Sequence, residues 1–192
     1  MLDLGAIGKG YAVEQAANLL REAGITSALL HGGTSTVYAL GRPPEAEFWK
    51  IEVDIPRRSF PEGGRAFEPT HPGTAGPIED GTAPVVASVA LRDEAMSVSA
   101  VWGRSFQAEG KTFGHVLDPR TGRPVTAAVL SAVVLPSATE TDALSTALLV
   151  LGPEGHRRIA GLRPGMRTLL VAEAGGKYQV EANNIELSSK PD

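Results

Sequence analysis

The feature that most constrains this chain is a series of short strand-like runs joined by hairpin-length links. VVASVALR is followed almost at once by AMSVSAVW, FQAEGKTFGHV turns back through Glu109-Gly110-Lys111, and MRTLLVAEAGGKYQVEA turns back through Gly175-Gly176. Links this short join antiparallel neighbours, because a parallel pair needs a crossover of about a dozen residues or more. The expected fold is therefore α+β, mainly antiparallel sheet with packed helices, rather than a Rossmann-type parallel sheet.

Other segments fit this scheme. ITSALL and STVYALG read as strands broken by Gly32-Gly33, and AAVLSAVVLP reads as a buried strand. WKIEVDIP alternates, with Trp49, Ile51, Val53 and Ile55 on one face and Lys50, Glu52 and Asp54 on the other, as in a half-buried strand. Helical spacing of Ala12, Val13, Ala16, Ala17, Leu20 and Ala23 predicts a helix from about Gly10 to Ala23, stopped by Gly24. A second helix is expected at about Glu140 to Leu151 and a short third from Pro153 to Ala160. The Pro- and Gly-rich stretch at about 56–84 sustains neither period and reads as a long loop.

At 192 residues the chain is expected to form a single domain over 1–192. With 18 Lys+Arg against 22 Asp+Glu, a net charge of -4 and no basic run longer than two residues, no nucleic-acid partner is expected. No stretch approaches the ~20 apolar residues of a spanning helix. The absence of cysteine excludes disulfides, thiolate metal sites and thiol nucleophiles.

Three constellations carry chemistry. In TETDALSTALLVLG, Asp142 and Thr146 lie four apart and share one helix face. Thr139 to Asp142 fits a capping box, with Thr146 bonded to the carbonyl four residues back. The same carboxylate and hydroxyl also suit a hard cation that takes its other oxygens from phosphate. LDLGAIGKGY sets Gly5, Gly8, Lys9 and Gly10 at a helix start, where amides and a lysine favour phosphate, or where a tight turn packs on the sheet. GHVLDPRTGRP gathers His115, Asp118, Arg120, Thr121 and Arg123 at what reads as a hairpin corner, with His115 as a candidate base. His31, His71 and His156 have no companions in sequence that suggest a metal site, and His31, before the glycine pair, is the one of these expected nearest a ligand.

In series, DLGAIGKGYAVEQA, HGGTSTVYALG, SVSA, GHVLDPRTGRPV and ATETDALSTALLVLG resemble the ApbE family, the FAD:protein FMN transferases, from about Asp3 to about Gly152. The resemblance implies a magnesium-dependent enzyme that cleaves FAD as its substrate, transfers FMN to a threonine or serine hydroxyl of an acceptor protein and releases AMP. Asp142 and Thr146 match the family's magnesium ligands and the Gly8 carbonyl a third; His115 matches the proposed general base. Lys9, Gly32 and Gly33 fall in blocks that look like flavin- and phosphate-binding loops, and Asp118 is carried as a further cofactor-binding candidate. The acceptors of the family are typically subunits of membrane-associated redox complexes, which suggests an extracytoplasmic setting, although Met1 leads straight into the DLG block with no signal-peptide pattern. Family members extend further ahead of that block, so the chain is expected to lack a segment contributing to the flavin pocket, which a partner segment would supply. Two alternatives accompany this reading: an incomplete or non-catalytic flavin-binding module needing a second polypeptide, and an FAD pyrophosphatase giving FMN and AMP. At SVSAVWGRS, Ala100, Val101 and Trp102 stand where the family commonly continues with serine-glycine and a tyrosine-containing strand.

Overall fold

The computed structural model describes residues 4–55, 85–102, 105–108, 111–174 and 177–188. The loop expected at 56–84, His71 within it, and the turn residues Glu109, Gly110, Gly175 and Gly176 lie outside the described residues. The elements run α1 (Gly8–Glu22), β1 (Ala28–Gly32), β2 (Thr36–Leu40), β3 (Trp49–Asp54), β4 (Val85–Leu91), β5 (Glu94–Ala100), β6 (Ser105–Ala108), β7 (Lys111–Gly114), β8 (Leu117–Asp118), β9 (Arg123–Pro124), β10 (Leu130–Leu135), α2 (Ala138–Ala160), β11 (Arg167–Ala174) and β12 (Lys177–Asn183).

A six-stranded sheet in the order β1-β2-β5-β10-β11-β12 organises the described residues, and every neighbouring pair in it is antiparallel. The period of two along each strand sorts side chains between two layers. On one face Val37, Ala39, Met96, Leu130, Ala132, Val134, Leu169 and Val171 pack with Val53, Ile55, Val86, Val89 and Leu91 from the β3–β4 segment, a separate antiparallel pair. On the other face Val133, Leu135 and Leu170 pack with Leu148, Leu149 and Ile159 of α2, while Tyr38, Leu40 and Ala95 pack with Val13 and Ala17 of α1. The sheet is thus the middle of three layers. Full burial of Leu148, Leu149, Leu169 and Leu170 favours this arrangement by roughly 2 kcal/mol per side chain.

α1 begins two residues before the expected Gly10, and its buried residues Gly10, Val13 and Ala17 form one stripe. Its end is a Schellman turn: Gly24 takes φ 80°, its amide reaches the Arg21 carbonyl, and the Ile25 amide reaches that of Leu20. α2 is broken at Gly152, whose backbone (φ 63°, ψ -158°) no helix adopts, and Pro153 restarts it. The expected pair of helices is therefore present, the first opening at Ala138. A β-carbon on Gly152 would stand 2.8 Å from that of Ala127, so both close packing and positive φ call for glycine there.

The helix start corrects the expected capping register. Ser137 is the N-cap, and its side chain accepts from the Glu140 amide at 3.2 Å, so the Ser/Glu spacing of a capping box falls on Ser137 and Glu140 rather than on Thr139 and Asp142. Thr139 directs its amide and hydroxyl to Glu14 of α1. Asp142 lies a turn inside the helix, and its carboxylate serves another partner.

Candidate functional site

Asp142 is 3% exposed. A buried carboxylate is costly unless hydrogen bonds or opposite charge compensate it. Its Oδ2 accepts from the Gly10 amide at 2.9 Å, and its Oδ1 lies 3.7 Å from Nζ of Lys9, whose side chain is half exposed. Both partners come from the start of α1. The approach is possible because residue 10 is glycine: a β-carbon there would lie 2.2 Å from the Ala138 carbonyl oxygen and 2.6 Å from Cβ of Asp142. One turn further on, Oε2 of Glu14 accepts from the Ser137 hydroxyl at 2.8 Å and from the Thr139 amide at 2.8 Å, and also from the Thr139 hydroxyl. Partial burial works to raise the Glu14 pKa, but these bonds from Thr139 and Ser137 outweigh it and hold the carboxyl below its usual range. A negative charge at the N-terminus of α2 also complements the helix dipole. The two acids of the α1–α2 junction therefore divide the work, Glu14 fixing the helices and Asp142 facing the Lys9–Gly10 corner.

Thr146 lies on α2 one turn after Asp142. Its hydroxyl lies within reach of two acceptors, the Asp142 carbonyl at 3.2 Å, at the spacing predicted, and Oγ of Ser99 on β5 at 3.1 Å. Ser99 is 2.9 Å from Oγ of Ser145, and the Ser131 hydroxyl donates to the Ser145 carbonyl at 2.7 Å. Nearer the start of α2, Thr36, Ser97 and Thr141 form a second buried chain, with contacts of 3.1 and 2.8 Å. Successive contacts from Ser97 to Ser99 and from Thr141 to Ser145 show that α2 runs along β5 in the same direction. Sequence reasoning assigned no role to these hydroxyls or to Glu14. A signal was present in SVSA, where Ser97 and Ser99 alternate with apolar residues and so line one face, but only the pairing of β5 with β2 and β10 shows that this face lies under α2.

The other sequence candidates are placed at different distances from this centre. Gly8 is the first residue of α1, and its amide donates to the Leu4 carbonyl at 2.7 Å. Gly32 pairs with Thr36 and lies so close to α1 that a β-carbon would stand 2.7 Å from Cγ2 of Val13. Gly33 takes φ 70° in the turn that follows. Through Thr36, Ser97 and Thr141 this glycine turn is connected to the residue before Asp142. His115 is exposed and follows Gly114, which packs so tightly that a β-carbon would lie 2.5 Å from the carbonyl oxygen of Val101. That contact sets His115 close to the end of β5, two residues beyond Ser99.

Asp118 is engaged locally. Its carboxylate takes a forked pair of bonds from Nε and Nη2 of Arg120 at 2.9 and 2.7 Å, and a third from the Arg120 amide at 2.9 Å. These bonds from Arg120 hold its pKa below the usual carboxylate range. The β8–β9 corner, closed by Gly122 at φ 67°, is thus the hairpin the sequence predicted. His31 is exposed on β1. His156, in the second segment of α2, is buried and bonds to Glu181 and Thr168, each at 2.8 Å, on the opposite side of the sheet centre from β1. Two surface concavities, of about 820 Å³ beside His156 and about 650 Å³ beside Phe48, are lined by neither Asp142 nor Thr146.

Among the described residues no three His, Asp or Glu side chains converge, so an all-carboxylate cage is not on offer. What the Asp142 corner offers is one buried carboxylate whose Oδ1 faces a cation at more than hydrogen-bonding distance, one hydroxyl a helical turn away, and a helix start with lysine beside it. Such an oxygen set fits a small hard cation that keeps phosphate or water as its remaining ligands.

This arrangement of helices on an antiparallel sheet is shared with proteins of known structure. A model of the ApbE family matches residues 1–170, and the chain belongs to it. It is 28% identical over 179 residues to the FAD:protein FMN transferase of Escherichia coli K12, covering 93% of this chain and 44% of that protein. With the FAD:protein FMN transferase of Rhodobacter capsulatus it shares 34% identity over 172 residues, covering 88% of this chain and 27% of the relative. The apo crystal structure of the Pseudomonas stutzeri flavinyl transferase ApbE superposes with a TM-score of 0.70 at 27% identity, over 96% of this chain and 50% of that one. The ApbE protein of Thermotoga maritima gives a TM-score of 0.72 at 26% identity, over 95% and 51%. The chain thus spans about half the length, or less, of the relatives it matches.

Proposed function

We propose that this chain acts in the magnesium-dependent transfer of FMN from FAD to a threonine or serine hydroxyl of an acceptor protein, with release of AMP. The observation that carries the reading is the convergence of the buried Asp142 carboxylate with Lys9 and the Gly10 amide at the start of α1, in a chain whose relatives are named FAD:protein FMN transferases.

Asp142 and Thr146, with the Gly8 carbonyl, would hold Mg2+. Bound there, the ion would supply neutralisation of pyrophosphate charge and polarisation of the phosphorus that is attacked. The chain's own residues account for the rest. Lys9, half exposed beside the carboxylate, reaches toward phosphate oxygens as their counter-charge. The Gly32–Gly33 turn, without side chains, lets the flavin nucleotide approach backbone closely. His115 takes the proton of the acceptor hydroxyl as its oxygen attacks the FMN-side phosphorus. A P–O bond forms to the acceptor, the P–O bond to the AMP phosphate breaks, and its electron pair leaves with AMP. The acceptor belongs to the class of membrane redox-complex subunits.

The test is a titration of the purified chain with FAD, followed by flavin fluorescence, in Mg2+ and in EDTA. Saturable binding that needs Mg2+ supports the reading, and binding that EDTA leaves untouched, or no binding in either condition, overturns it for this chain. AMP release with the FMN recovered on protein distinguishes transfer from hydrolysis, which leaves FMN in solution.

A further inference from the structure

The proposed site depends on which way the Thr146 hydroxyl points, and that direction is set from outside the helix. For the Thr146 oxygen to present lone pairs to a cation, its single proton must point away. Two acceptors are in reach: the Asp142 carbonyl at 3.2 Å and Oγ of Ser99 at 3.1 Å. The carbonyl is crowded, since it also accepts from the Ser145 hydroxyl at 3.1 Å and, as an interior helix carbonyl, from the amide four residues on. Ser99 is not crowded in this way, because its remaining contact is Oγ of Ser145 at 2.9 Å.

The protons can be counted. Ser99, Ser145 and Thr146 bring one hydroxyl proton each. They satisfy one directed chain in which Thr146 donates to Ser99, Ser99 to Ser145, and Ser145 to the Asp142 carbonyl. In that chain no proton is left to point at the cation from Thr146. Ser145 is fully buried and its own carbonyl is held by Ser131, so the far end of the chain is anchored to the sheet.

We infer that Ser99 is a positioning residue for the cation site: it accepts the Thr146 proton and hands its own to Ser145, which turns the Thr146 oxygen toward the ion. The inference rests on the magnesium reading given above and names the strand residue on which that site depends. Residues that orient a metal ligand commonly carry tenfold or larger effects on metal affinity when removed.

The test measures the Mg2+ midpoint for FAD binding at fixed FAD by flavin fluorescence, in the unmodified chain and in Ser99→Ala, Ser99→Thr and Thr146→Ala. Ser99→Ala is expected to raise the midpoint about tenfold, while Ser99→Thr, which keeps the hydroxyl, stays near the unmodified value. Thermal melting without metal should be the same in all three serine-position proteins. If Ser99→Ala melts early, Ser99→Cys, a weak acceptor of similar size, replaces it. A shift in Thr146→Ala with none in the serine variants overturns this inference alone. No Mg2+ dependence in the unmodified chain, or none lost in Thr146→Ala, overturns the magnesium reading and this inference with it.

Discussion

At the residue scale the decisive position is Gly10, because its hydrogen atom is what lets a backbone amide touch a carboxylate on another helix. Gly10→Ala places a methyl 2.2 Å from the Ala138 carbonyl oxygen and 2.6 Å from Cβ of Asp142. The expected outcome is a loss of roughly 1–3 kcal/mol from overpacking, read by urea denaturation, together with loss of Mg2+-dependent FAD binding. Asp142→Asn keeps the shape and an acceptor for Gly10 but removes the charge facing Lys9. It is expected to fold, to bind FAD no better in Mg2+ than in EDTA, and to release no AMP; a variant with the normal Mg2+ response removes Asp142 from the site. His115→Gln separates the roles differently, since Mg2+-dependent FAD binding should persist while transfer falls by about 10²-fold or more. Asp142, Thr146 and Lys9 were legible in sequence because spacing and charge mark them. Glu14 and Ser99 were not, since an acid in a helix and a serine in a strand look like ordinary surface and sheet residues until their partners, more than 40 positions away, are known.

At the element scale, Glu14 is the joint between α1 and α2. Its pKa is lowered in the folded chain, so the sign follows directly: the stabilisation is present above the unfolded carboxylate range and is lost as pH falls through the lower folded value. Because the group is only partly buried, the expected effect of Glu14→Gln is modest, about 1 kcal/mol near neutral pH. The difference between the two proteins should shrink as pH drops below about 4, and a pH-independent difference in denaturation midpoint would rule out the charge as its source. The capping register shows how an element can be read correctly and its boundary misread. Both Ser137 and Thr139 are good cap residues with an acid three positions on. The choice fell on Ser137 because Glu14 engages the Thr139 amide and hydroxyl, a tertiary contact that local sequence cannot contain. The break at Gly152, by contrast, was visible as Gly-Pro.

At the scale of the whole molecule, the antiparallel sheet holds two helices on one face and β3–β4 on the other, and the proposed site sits where the start of α1 meets the first turns of α2. Ligands that bind only the folded chain stabilise it by mass action. FAD with Mg2+ at about a hundred times the dissociation constant should add about 2.7 kcal/mol, which for a domain of this size raises Tm by roughly 5–10 °C. FAD with EDTA should leave Tm unchanged, and an equal rise in both conditions removes the cation from the site. By itself the sequence determined the fold class, the order of strands and helices and the acidic helix, because these follow from hydrophobic period, hairpin-length links and Gly/Pro punctuation, all of them local. Only the tertiary structure decided which hydroxyls bond Thr146, which serine caps α2 and which amide meets Asp142. The contacts that settle them, Ser99 with Thr146, Glu14 with Thr139 and Gly10 with Asp142, join residues 47 to 132 positions apart, and their distances are fixed by how the layers pack rather than by any pattern along the chain.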